Sequence, residues 1–191
     1  MREITLPVTP EDRHIAALAA LAIGLSLAEA ALPSPLPGVK PGLANIVVLL
    51  VMLRFGIHAA VWVAVIRVLG SSLLLGSFLT PGFWLACAGT AAGLVVMTLA
   101  CRLPRQWFGA VSISVLMAFA HISGQLLLAK YWLFAEANLM LLMPVFALAA
   151  LVFGAVNGWI VTRLSADETS QENVVHGIVP MPENDAQSSH A

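Results

Sequence analysis

AAVWVAVIRVLGSSLLLGSFL, residues Ala59–Leu79, holds a single charged side chain, Arg67, in 21 consecutive positions. An α-helix needs about 20 predominantly apolar residues to cross the roughly 30 Å hydrocarbon core of a bilayer, so this stretch reads as a membrane span. Similar apolar runs lie on both sides of it, at Ile15–Leu32, Leu43–Leu53, Phe83–Ala100, Gly109–Ala129 and Leu139–Thr162. Short segments with Pro, Gly or charge separate them. The second run is too short to span unaided, so it either begins within the preceding loop or forms a half-helix buried against its neighbours. The count of six runs predicts an all-α, six-transmembrane-helix bundle over residues 15–163. Residues 1–14 then form a cytoplasmic N-terminal segment, and residues 164–191 a disordered acidic tail.

Composition excludes water as the main solvent. Of 191 residues, 60% are hydrophobic and 10% charged, against roughly 25% charged in soluble domains. The mean hydropathy is +0.92. The net charge of -1 hides an asymmetry: Ser165–Ala191 carries Asp167, Glu168, Glu172, Glu183 and Asp185 and no Lys or Arg. The remainder is mildly basic without a basic stripe or interleaved aromatics, which gives no reason to expect nucleic acid as a partner.

Lys and Arg set the orientation. Arg2, Arg13, Arg54, Arg102, Arg105 and Arg163 fall on the side of the N-terminus, and Lys40 and Lys130 on the other. Both termini are therefore expected in the cytoplasm, with the chain a multi-pass protein of a bacterial inner membrane. Trp84, Trp107, Tyr131 and Trp132 sit near run ends, as interface aromatics do. The N-terminus opens a helix with Thr9, Pro10, Glu11 and Asp12, and the first run ends in prolines instead of a small-residue cleavage site, so it reads as a span and not as a removable signal.

Within the membrane, Glu29, Arg67, His121, Gln125 and Asn157 are polar, and a charge at the centre of a span costs about 2.5–3.5 kcal/mol on insertion scales. Something must compensate for them. His121 and Gln125 lie one turn apart on a single helix face, and Glu29 lies in the outer part of the first span. The loop PSPLPGVKPGLAN, Pro33–Asn45, with four prolines and two glycines, is either a connector or a shaped lid over a ligand. Lys40 in that loop would offer positive charge to an anionic ligand. The expected ligand-binding set is thus Lys40, Asn45, Glu29, Arg67, His121 and Gln125. The bland alternative is that Glu29 merely pairs with Lys40 or Arg67 and that Asn157 bonds across helices.

Small residues recur at Ala16, Ala20, Gly24 and Ala28, and in the pairs Gly89/Gly93 and Gly154/Gly158. Such stripes let backbones approach closely, within the bundle or against another membrane subunit. The first-span face Ala16, Ala20, Gly24 is the better docking candidate. Cys87 and Cys101 fall in one apolar segment roughly 21 Å apart along a helix, too far to bridge, and no second ligand flanks either, so no metal site is expected. Walker, HExxH, CxxC and Asp-rich magnesium motifs are missing, and no activated nucleophile accompanies His121, so an enzyme is not expected and no cofactor is implied.

At PSPLPGVKPGLANIV, IRVLGSSLLLGSF, VSISVLMAFAHISGQL and GAVNGWI the chain resembles the Gx transporter family, also labelled heptaprenyl diphosphate synthase component I, which looks related to the S components of energy-coupling-factor transporters. The similarity covers about Ile15–Arg163. It implies a solute-binding six-helix bundle whose first helix, here Ala16, Ala20 and Gly24, docks a membrane coupling subunit, with ATPases supplied from elsewhere. The family's His-Asn-x-Gly-Gln element reads His121-Ile122-Ser123-Gly124-Gln125 here, so His121, Gly124 and Gln125 carry over and the Asn does not. The prenyl-synthase label would fit only a non-catalytic accessory subunit, because the membrane portion has no aspartate to hold magnesium; the alternative expectation is thus a membrane accessory subunit of a heptaprenyl or polyprenyl diphosphate synthase or of a membrane redox system.

Overall fold

The computed structural model describes residues 9–31, 42–102, 109–133 and 143–178. These form five α-helices: α1 Pro10–Ala31, α2 Ala44–Leu74, α3 Pro81–Ala100, α4 Ala110–Leu128, which ends in a π-helical turn Ala129–Leu133, and α5 Met143–Ile178. All five are long and apolar enough to cross a membrane. Apolar side chains cover the outside, Trp62 at 65% exposure and Leu74 at 67% among them, as lipid-facing helices require.

The expected count of six helices is corrected to five. The second and third apolar runs belong to one element, α2, whose helical backbone breaks at Gly56 (φ 84°, ψ -175°). The stretch before the break is about 18 Å long at 1.5 Å per residue, short of the hydrocarbon thickness. It is nonetheless the centre of the molecule: Ile46–Val51 are buried without interruption, the pattern of a helix surrounded by protein on all sides.

The two halves of α2 do not continue in one line. A straight helix would hold Asn45 and Ser71 about 39 Å apart, yet both line the same cavity. Ile46–Val51 also share one apolar cluster with Ala59, Ala60, Val63 and Ala64. The chain therefore folds back at Gly56. Its second half runs alongside α1, with Phe55, His58 and Ala59 beside Glu11, Asp12 and Ile15 and Gly70 against Ile23.

Helix ends follow local chemistry. The α1 start is a reciprocal cap in which Thr9 N–H donates to Asp12 Oδ2 (2.9 Å) and Asp12 N–H to Thr9 Oγ1 (3.2 Å). The α3 helix starts with Pro81 at its first position, where a missing N–H costs nothing. The α5 helix continues to Ile178, so the expected acidic tail begins as helix.

The glycine pairs settle their own question. Gly89 and Gly93 of α3 pack on His121 and Met117 of α4, and Gly154 and Gly158 of α5 pack on Val115 and Val111 of α4. Both are contacts inside the bundle. Ala16, Ala20, Gly24 and Ala28 of α1 are all exposed, and nothing lies within 4 Å of a Cβ built on Gly24.

Candidate functional site

One cavity of about 460 Å³ opens between the end of α1, both ends of α2, the start of α3, the last turns of α4 and the first half of α5. Its volume falls in the range of small-molecule sites, about 300–1,000 Å³. Glu29, Asn45, Arg67, His121 and Gln125 all line it, so five of the six expected site residues come together from three helices, α1, α2 and α4. Lys40 lies outside the described residues.

Each side chain is held by its element. Arg67 is 8% exposed, and its Nη2 donates to Thr90 Oγ1 across to α3 at 3.1 Å. His121 and Gln125 join through their Nε2 atoms at 3.2 Å, and Gly89 leaves the room that both need. Glu29 is buried and accepts the Leu43 backbone N–H at the entry to α2. This satisfies a donor that the helix start would leave open. Asn157 Nδ2 donates to the Gly42 carbonyl at 3.1 Å, so α1 and α5 each grip the chain just after the proline-rich loop.

Asn157, which the sequence offered as an interhelical bond, bonds the Gly42 carbonyl just before α2 and lines the cavity. The sequence reading missed Ser26, Ser71, Ser72, Ser77 and Thr90 as lining residues. The hydroxyls of Ser26 and Ser72 blend into apolar helices because they return to the helix's own carbonyls, Ser26 Oγ to Ala22 at 3.0 Å and Ser72 Oγ to Val68 at 2.6 Å. Spacing alone could have singled out Ser71, which lies four residues after Arg67 on the same face. Phe83 and Phe153 supply apolar wall.

Three polar atoms of the lining residues are sealed from solvent without a partner: Asn45 Oδ1, Arg67 Nε and His121 Nδ1. Buried polar atoms are nearly always paired, so three orphans among the residues lining one cavity set this wall apart from the rest of the bundle. The arrangement offers hydrogen bonds and charge to a bound molecule. Among the described residues no three His, Cys, Asp or Glu side chains gather as a metal would need.

A family model described as heptaprenyl diphosphate synthase component I matches residues 18–164. The chain belongs to this family, the one its loop and helix motifs resemble. No curated protein and no solved structure matches the chain.

Proposed function

We propose that this member of the heptaprenyl diphosphate synthase component I family is the membrane-embedded solute-binding subunit of a small-molecule transporter and carries out no chemistry itself. The observation that carries this reading is the gathering of Glu29, Asn45, Arg67, His121 and Gln125 around one cavity between apolar helices. Burying such groups in a membrane protein is costly, and they are usually found where a solute or ion passes. Lys40, two residues before Gly42, belongs to the same site in this reading.

The likeness to S components of energy-coupling-factor transporters supplies the rest of the proposal. The exposed face Ala16, Ala20, Gly24 docks a membrane coupling subunit, and separate ATPases drive the cycle. Each half of α2 counts as one crossing, the first of them shorter than the hydrocarbon core and enclosed by the other helices, which makes six and leaves both termini in the cytoplasm of a bacterium. The reversal at Gly56 and the arginines near that end, Arg13, Arg54, Arg102 and Arg163, support this topology.

The family's name favours a second reading, a non-catalytic accessory subunit of a heptaprenyl diphosphate synthase. Thermal melting in mild detergent against vitamins, flavins, quinone precursors and prenyl diphosphates separates the two, since a ligand that binds only the folded state raises its stability. A shift by one compound that disappears in folded His121→Ala and Lys40→Ala variants supports solute binding. Silence across the panel, together with co-purification of a prenyl synthase, supports the accessory role instead.

A further inference from the structure

Arg67 carries a charge that no ion pair among the described residues meets. The guanidinium is 8% exposed, yet its hydrogen bond goes to a neutral hydroxyl, Thr90 Oγ1, and its Nε has no partner. No carboxylate among the described residues forms an ion pair with it. Glu29 is close enough to act on it electrostatically, and its carboxylate also accepts the Leu43 N–H. Holding a guanidinium away from water is strongly unfavourable unless an anion meets it. A planar fork of N–H donors matches carboxylate or phosphate oxygens.

His121 adds a second polar group to the same wall. His121 Nε2 lies 3.2 Å from Gln125 Nε2, and its other ring nitrogen, Nδ1, is left without a partner. Both residues line the cavity beside the apolar rings of Phe83 and Phe153. Resting on the solute-binding reading above, we propose that the cavity takes a molecule with an anionic oxygen group, carboxylate or phosphate, seated on Arg67 and His121, with its apolar body against Phe83 and Phe153.

The test uses the full chain in detergent and four probes: phenylacetate, phenyl phosphate, the neutral isostere phenylacetamide, and dihexanoyl phosphatidate. A probe at about five times its Kd raises the melting temperature by about 2–4 °C in a chain of this size. Phenylacetate or phenyl phosphate should do so while phenylacetamide does not. A response to dihexanoyl phosphatidate alone also upholds the anion seat and identifies a lipid headgroup as its source. Arg67→Gln should abolish the shift and, without probe, melt no lower than the wild type, because it removes an unmatched charge. Arg67→Lys, which keeps the charge without the fork, should retain a reduced shift.

A shift with phenylacetamide equal to that with phenylacetate would overturn the anion seat and leave solute binding standing. Silence from every probe, or an undiminished shift in Arg67→Gln, would overturn it as well. So would an Arg67→Gln protein that melts several degrees lower without probe, since the arginine would then be holding the fold.

Discussion

A Cβ on Gly89 would lie 2.8 Å from Gln125 Cγ and 2.9 Å from both His121 Nε2 and the His121 carbonyl. The carbonyl belongs to the α4 backbone and cannot swing aside. Gly89→Ala should therefore push α4 away and destabilise the protein by about 1–3 kcal/mol, the usual cost of overpacking. Any ligand-induced melting shift should fall with it, because the same contact seats the His121–Gln125 pair; a variant with unchanged melting and unchanged ligand response would refute this. The candidate site was legible in the sequence wherever the residue was expensive in lipid. Glu29, Arg67, His121 and Gln125 stood out because nothing apolar accounts for them, and all four line the cavity. Thr90 and Ser72 did not stand out, since a hydroxyl in a membrane helix is cheap, and only the fold reveals that Thr90 meets Arg67.

The two glycines Gly56 and Gly24 separate backbone geometry from contact at the level of the helix. Neither has anything within 4 Å of an added Cβ, but Gly56 sits at φ 84°, ψ -175°, a region that is essentially glycine's alone, whereas Gly24 lies in regular helix. Gly56→Ala should cost about 1–3 kcal/mol through backbone strain only. Gly24→Ala should be neutral or stabilising by up to about 1 kcal/mol. Equal melting temperatures for the two variants would mean that the reversal in α2 does not depend on its glycine. Removing the Thr9–Asp12 cap by Asp12→Ala should cost about 0.5–2 kcal/mol at the start of α1, read in the same melts. The sequence announced that α1 start and the break between Leu53 and Ala59, but not what the break does. Hydrophobicity reports that Leu43–Leu53 avoids water and is silent on whether lipid or protein surrounds it. The burial of Ile46–Val51 comes from the helices that close around them.

For the molecule as a whole, the decisive consequence of the Gly56 reversal is which ends of the helices share a side of the membrane. If α2 crossed once, the five span-capable helices would put the α3–α4 connection and the end of α5 opposite the N-terminus. Arg102, Arg105 and Arg163 would then face outward and Lys130 inward, against the bias that keeps Lys and Arg in the cytoplasm. If α2 folds back to make two crossings, as proposed, Arg13, Arg54, Arg102 and Arg163 share the inner side and Lys130 the outer. Single cysteines at 13, 102, 130 and 163, in a chain whose Cys87 and Cys101 are replaced by alanine, distinguish the two with a membrane-impermeant maleimide. Six crossings require label at 130 in intact cells and at 13, 102 and 163 only after permeabilisation. Label at 102 and 163 in intact cells, with 13 and 130 protected, would show that the element crosses once. It would also move the α3, α4 and α5 residues that line the cavity out of the arrangement that solute capture from outside demands.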